Sequence, residues 1–245
     1  KERKMKPPVH VLFPIGLAGG NSRDIYKAAQ EGKTSDVEIA HFKCTSCGHV
    51  DIYPTCPKCG SEARLLYHCP KCGFESTMDT ECPKCGIEMK AYKKRRINPS
   101  ELLNKAMQNV GIYTLDRLKG VMGMSSAHKI AEPLEKGILR ARNDVYVFKD
   151  GTIRFDATDA PITHFRPKEI GVSLEKLKEL GYTHDFEGKP LVSEDQIVEL
   201  KVQDVILSKE AGRYLVRVAK FIDDLLEKFY GLPRFCLLYT SPSPR

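Results

Sequence analysis

The sequence predicts an α+β fold, with mixed helices and short sheets and a small cysteine-rich module inserted among them. Three observations carry this. Short apolar runs of strand length, Val9 to Ile15 and Val145 to Phe148, are bounded by glycine, proline or polar turn residues. Leu102, Leu103, Ala106, Met107 and Val110 recur at helical spacing, as do Ala211, Leu215, Val218, Ile222, Leu225 and Phe229. Eight of the nine cysteines fall between Cys44 and Cys85, in pairs. With 245 residues, 41% hydrophobic and 29% charged, the chain can bury a sizeable core and is not a disordered polymer. No apolar run of about 18 residues and no charged-then-apolar leader is present, so neither a membrane span nor a secretory signal is expected. The first residue is Lys1 rather than Met, which suggests a piece of something longer. Asn and Gln are few and Lys and Glu many, a hint of a heat-adapted source.

Taken in order, residues 1–40 read as strand, loop and helix. Val9 to Ile15 is a buried strand, Gly16, Gly19 and Gly20 break it, and Ser22 or Asn21 caps a helix from Arg23 to Glu31. The glycines match neither a Walker loop nor a dinucleotide fingerprint, which favours a tight turn over a phosphate cradle. Residues 41–97 form the cysteine-rich module. Residues 98–143 are helical: Asn98 caps, Pro99 takes the first position, and Glu101 follows three residues after the cap. Further helices are expected around Leu115 to Val121 and Pro133 to Arg142.

Residues 144–235 are α/β. Val145 to Phe148 and Thr152 to Phe155 read as a hairpin through Lys149, Asp150 and Gly151, with Ala160 to Phe165 extending its sheet. Ser173 caps a helix to Leu180 that Gly181 ends, Glu187 and Gly188 turn, and Ile197 to Lys201 is a strand. Ser208 then caps an amphipathic helix of about six turns, read as a core helix. Residues 236–245, Cys236 to Arg245, show no periodicity and resemble the translation of a transposase sequencing adapter, so a non-native tail is expected there. That tail holds the odd ninth cysteine.

The cysteine spacing carries the chemistry. Cys44/Cys47, Cys56/Cys59, Cys69/Cys72 and Cys82/Cys85 are four Cys-x-x-Cys pairs, each followed by glycine. Two thiolates two residues apart can grip one metal from a tight turn, and zinc takes four such ligands in a tetrahedron. Eight cysteines therefore predict two structural zinc ions, in a zinc-ribbon module with two four-cysteine sites. Disulfides fit poorly without a secretory signal, and the spacing lacks the ferredoxin run of an iron–sulfur protein. Sequential pairing, with the first two pairs on one ion and the last two on the other, makes the shortest closures. His41, His49 and His68 are left as surface or packing groups. All-cysteine ligation leaves no position for a reactive water, so these sites should fold the module and do no chemistry.

Each zinc with four thiolates carries about −2, which takes the formal +7 to about +3, and to about +2 without Arg245. Overall basicity then argues little for nucleic acid. What remains is local: Lys90, Lys93, Lys94, Arg95 and Arg96 could neutralise phosphates, or form a solvated linker. Asp156 and Asp159 near His164, Asp223 and Asp224, and Ser125, Ser126 and His128 do not compose a magnesium site or a hydrolase triad. Turn, capping and solvation roles explain them better. No catalytic residue is assigned.

Three blocks of wording add a resemblance. Lys4 to Ile25, with Pro-Ile-Gly-Leu-Ala-Gly-Gly, Asp144 to Ile170, with Phe-Lys-Asp-Gly-Thr-Ile-Arg-Phe-Asp-Ala-Thr-Asp-Ala-Pro, and Gly181 to Phe235, ending Phe-Tyr-Gly-Leu-Pro-Arg-Phe, resemble the large subunit of archaeal family D DNA polymerases in its Thermococcales form. The zinc knuckles also match in order. The resemblance covers Lys1 to Phe235 and implies an internal fragment of a replicative, DNA-directed DNA polymerase. It implies a much longer chain whose core is similar to two-barrel RNA polymerases, acting by two-metal magnesium chemistry on a primed DNA template. It also implies a small exonuclease subunit as heterodimer partner, a sliding clamp, and a cytoplasmic, nucleoid-associated location. The family's Asn-x-Asp-x-Asp motif is absent here, so the fragment alone should be inactive and its magnesium bound elsewhere. The alternatives are a stand-alone zinc-ribbon nucleic-acid binder, or a docking module using Ile52, Tyr53, Leu65, Leu66 and Tyr67.

Overall fold

A computed structural model describes residues 9–148, 150–154 and 159–235. They divide into two compact units, one of residues 9–154 with 224–233 and one of residues 159–223 with 234–235. The 236–245 tail lies outside the described residues.

In the first unit the chain enters as a buried extended segment. Val9, Val11, Phe13 and Ile15 are fully buried. This run is not a strand in a regular ladder. Its backbone is satisfied by residues 119–121: His10 N–H donates to Lys119 O at 2.8 Å, Ile15 N–H to Val121 O at 2.9 Å, and Val121 N–H to Phe13 O at 3.0 Å. The helix expected at Leu115 to Val121 is therefore absent. Gly120 weakens a helix there, and the buried segment needs backbone partners. A Cβ on Gly120 would lie 2.6 Å from Phe13 O.

Helix α1, Ile25–Gln30, starts later than expected, and Asp24 rather than Ser22 or Asn21 caps it. Asp24 Oδ1 accepts from Tyr26 N–H at 3.0 Å and Lys27 N–H at 3.3 Å, and also from Leu118 N–H at 3.1 Å. Arg23, at φ 53°, belongs to the preceding turn, which pushes the helix start on. Strand β1, Ser35–Ala40, follows, and then the cysteine block with β2, Phe42–Cys44, β3, Val50–Asp51, β4, Ala63–Leu65, β5, Tyr67–His68, and β6, Glu75–Ser76. Strand β7, Tyr92–Ile97, returns antiparallel to β1, with Ser35 opposite Ile97 and Ala40 opposite Tyr92.

Helix α2, Pro99–Val110, forms as its caps predict: Asn98 Oδ1 accepts from Ser100 N–H at 3.1 Å, and Gly111 ends it at φ 65°. Helix α3, Leu134–Arg142, starts after Pro133. It grips the entry segment. Arg140 is 8% exposed and holds Glu132 in two bonds of 2.7 and 2.9 Å while donating to His10 O at 3.0 Å. Glu132 in turn accepts from Leu12 N–H at 3.0 Å. The expected hairpin reduces to a turn: Phe148 N–H meets Thr152 O at 2.9 Å, but Val147 bridges Val9. Its Lys149 and Phe155 lie outside the described residues, as does Asp156.

In the second unit β8, His164–Phe165, pairs with β9, Val198–Glu199, instead of extending that hairpin. Helix α4, Pro167–Ile170, precedes α5, Leu174–Glu179, whose cap Ser173 accepts from Lys176 N–H at 3.3 Å. Phe165, Leu177, Tyr182, Leu191 and Val198 make the core. The last helix, α6, Lys209–Lys228, starts at Ser208, whose Oγ accepts from Ala211 N–H at 3.3 Å. Asp223 and Asp224, expected to be solvated, are 6% and 7% exposed. Asp223 accepts from Phe235 N–H at 3.1 Å, and Asp224 from Asn143 Nδ2 at 3.0 Å.

Gly137 gives this packing a direct test. A Cβ there would lie 2.4 Å from Val11 Cβ, a branch point that cannot swing away. On a free helix face Gly→Ala stabilises by about 1 kcal/mol. Here Gly137→Ala should instead lower stability by about 1–3 kcal/mol, read as the urea unfolding midpoint.

Candidate metal centres

The cysteine block builds two small clusters. Strands β2, β3 and β4 form a sheet in the order β3-β2-β4, and β5 pairs with β6. In each Cys-x-x-Cys turn the glycine after the second cysteine folds back: Gly48 donates to Cys44 O at 3.2 Å, Gly60 to Cys56 O at 2.9 Å, Gly73 to Cys69 O at 2.9 Å and Gly86 to Cys82 O at 2.8 Å. All four glycines have φ between 63° and 72°, which a Cβ would disfavour. The turn also aims amides at sulfur: Cys44 Sγ accepts from Ser46 and Cys47 N–H, each at 3.4 Å.

These turns bring together Cys44, Cys47, Cys56 and Cys59, and separately Cys69, Cys72, Cys82 and Cys85, with the Sγ atoms of each set within 4.8 Å of one another. Cys44 to Cys59 spans 3.4 Å, Cys47 to Cys56 3.6 Å and Cys72 to Cys82 3.5 Å. All eight thiols are free. A zinc tetrathiolate with bonds of about 2.3 Å has edges of about 3.8 Å, so the donor set and spacing fit that ion. Cys44, Cys56, Cys69 and Cys82, the first of each pair, are buried, while Cys47, Cys59 and Cys72 are exposed. The sulfurs compete for protons. The Ser61 hydroxyl and N–H hold Cys59 down to about 6, the Cys72 N–H holds Cys69 down to about 7, and the Cys72 thiol pushes Cys85 up to about 12. A divalent cation relieves that competition by displacing protons.

No histidine joins either set. His41 is a buried packing group, and burial, with Lys93 and Arg95 nearby, lowers its pKa to about 4. The apolar residues considered for docking on a partner are occupied within the chain. Ile52, Leu66 and Tyr67 are 2%, 5% and 9% exposed, and Leu65 and Tyr53 are half-buried. Burial pushes the Tyr53 phenol up, with Glu135 and the Leu134 backbone beside it. Tyr67 meets the His128 ring edge-on at 6.4 Å.

The basic run does not form one patch. Alternation along β7 puts Lys94 and Arg96 across from Glu38 and Asp36, and Lys93 and Arg95 across from Ile39 and Val37. Arg96 pairs with Asp36 at 3.2 Å and Lys93 with Glu75 at 3.2 Å, while Lys90 lies over the Tyr92 ring at 5.9 Å. Among the described residues only Lys94 and Arg95 of this run lack a carboxylate within 4 Å or a ring contact. Sequence reasoning missed Lys129, at φ 52°, which lies over Tyr92 at 4.1 Å, pairs with Glu38 and pins the ribbon from a distant loop. No local motif announces it. Nor do the other candidates assemble: Asp159 bridges Leu207, His164 packs edge-on to Phe186, and Ser125, Ser126 and His128 are exposed.

Each cluster also has its own small core, Phe42 with Ala40 and Ala63 in one and Tyr67 with Met89 and Ala91 in the other. Cys59→Ser and Cys85→Ser should each lower bound zinc from two ions per chain to one, read by elemental analysis. If either variant empties both sites, the clusters are not independent.

The catalytic-domain family of the DNA polymerase II large subunit DP2 matches residues 111–242, and the central-domain family of the same subunit matches residues 1–95. The chain is 73% identical to the DNA polymerase II large subunit of Pyrococcus furiosus, 72% to that of Pyrococcus abyssi and 70% to that of Thermococcus kodakarensis, each over 241 residues. Each alignment covers 96% of this chain and 19%, 17% and 13% of the respective relative, so the chain spans less than a fifth of their length. The catalytic-domain match alone takes in more than half of the 245 residues. The chain belongs to the family of DNA polymerase II large subunits.

Proposed function

We propose that the chain is part of the catalytic subunit of an archaeal DNA-directed DNA polymerase, in which two structural zinc ions hold the 41–97 module against the core. The observation that carries this is the joint match to the central and catalytic domains, with the two four-cysteine clusters lying within the first. Cys44, Cys47, Cys56 and Cys59 would hold one ion and Cys69, Cys72, Cys82 and Cys85 the other. When bound, the ions supply folding energy and no open coordination position.

Nucleotidyl transfer on a primed template would use magnesium held by carboxylates outside this chain. The sequence contains no Asn-x-Asp-x-Asp run. Among the described residues, the only groups of three or more potential ligands close enough to share an ion are the two cysteine sets. The assembled enzyme would pair with a small exonuclease subunit and a sliding clamp, and work at the nucleoid in the cytoplasm. No helix among the described residues is long and apolar enough to cross a membrane. Within the basic run, Lys94 and Arg95 are the charges free to meet a phosphate or an acidic partner surface.

The division of labour is testable. The 245-residue chain with zinc and magnesium should give no primer extension, whereas the full-length subunit with its exonuclease partner should extend. Cys44→Ser/Cys47→Ser in the full-length subunit should lower its melting temperature and leave the magnesium dependence of the residual activity unchanged. Primer extension by the 245-residue chain would contradict the assignment. So would a shifted magnesium dependence in the cysteine variant.

A further inference from the structure

Two loops of the first unit leave the buried entry segment together. Pro14 bridges Val121, Ile15 N–H donates to Val121 O at 2.9 Å, and Gly16 N–H donates to Met122 O at 3.0 Å. The chain departs from this pairing at Leu17 on one side and at Met122 on the other. Leu17 is 85% exposed and Met122 57%. Large apolar side chains set out in solvent on adjacent stretches mark an interaction surface, where scattered single ones do not.

The Leu17 loop is a fixed turn. Gly20 N–H donates to Leu17 O at 3.1 Å, Arg23 N–H to Gly20 O at 3.1 Å, and Asp24 N–H to Gly19 O at 3.0 Å. Just before it, Ser35 Oγ donates to Ile15 O at 2.5 Å. Gly19 is buried, and a Cβ there would lie 2.8 Å from Arg23 Cα, so the loop closes on itself with no room for a side chain. An apolar side chain held outward on a loop already ordered loses little further freedom when it is covered.

Charge decides what kind of cover fits. Residues 15–22 and 120–127 contain no Asp, Glu, Lys, Arg or His, although 29% of the chain is charged. Charge resumes only at the flanks, with Arg23 after one stretch and Lys119 and His128 around the other. Two stretches without a cation give a phosphodiester nothing to pair with, which turns this surface away from nucleic acid. They also raise no field to steer in a free partner. Charge depletion around apolar side chains is instead the composition of a permanent interface. The occupant follows from length. This chain covers 19%, 17% and 13% of the three relatives, so more than four-fifths of each lies outside the matched stretch. A surface on the same polypeptide needs no recruitment, because the tether keeps it at high effective concentration.

We propose that the Leu17 and Met122 loops seat against another part of the same large subunit, on an apolar face poor in charge. The proposal rests on the chain being one part of a longer subunit and goes beyond the polymerase reading. Neither zinc occupancy nor primer extension is its readout, so its failure leaves those tests untouched.

The experiment places a photoreactive benzoylphenylalanine at Leu17 in the full-length subunit. The protein is irradiated alone, with the small exonuclease subunit, and with primed DNA, and the cross-linked peptides are read by mass spectrometry. The cross-link should join this position to a peptide of the same chain outside the 245 residues, in all three samples and with a yield independent of protein concentration. The proposal is overturned if the cross-link goes instead to the small subunit, to DNA or to a second copy, or if none reaches beyond the 245 residues. Thermal stability gives a second readout that needs no probe. Leu17→Asp should lower the melting temperature of the full-length subunit by about 2 °C or more and leave that of the zinc-loaded 245-residue chain within about 1 °C, because in the shorter chain the side chain already faces solvent. Equal shifts in the two proteins, or no shift in the full-length subunit, would contradict the proposal.

Discussion

Strands β1 and β7 lie side by side, yet the whole cysteine block separates them in sequence. Their ladder can close only if that block brings the chain back to where it left. The block has little hydrophobic means of doing so, since its two cores are a handful of residues each and include the cysteines themselves. Four thiolates on one cation would replace a missing core with a few strong, local bonds. They would also break one long closure into short ones, each between neighbouring turns. The backbone conformation of Gly48, Gly60, Gly73 and Gly86 serves the same end, letting each turn fold tightly around its sulfurs.

Around that closure the first unit is held by contacts between distant stretches. Glu132 and Arg140 satisfy the backbone of the entry segment at Leu12 and His10. Asp24 ties the start of α1 to Leu118. Lys129 reaches the ribbon by ring and carboxylate at once. The module's apolar residues, Ile52 and Leu66 among them, are buried within the same chain. The cysteine block thus belongs to a larger compact unit, which argues against its working as a free-standing ribbon.

What could be read from the sequence follows how local the physics is. The Cys-x-x-Cys-Gly turns, the Asn98 and Ser173 caps, and the periodicity of α2 and α6 are set within a few residues, and all were legible. The stretch from Leu115 to Val121 was not, because its conformation is dictated by a buried segment far away in sequence. Asp223 and Asp224 look like solvent-facing acids until Phe235 and Asn143 are seen against them. The basic run reads as one patch only until strand alternation and Glu75, Glu38 and Asp36 divide it.

The claim that metal closure of the cysteine block supports the β1–β7 ladder can be measured by hydrogen exchange on the zinc-loaded chain and on the same chain after chelation. Amides throughout the block, and with them those of Ser35–Ala40 and Tyr92–Ile97, should lose protection together, while α5 keeps its own. If the block and both strands stay protected after both metals have gone, the closure does not depend on metal.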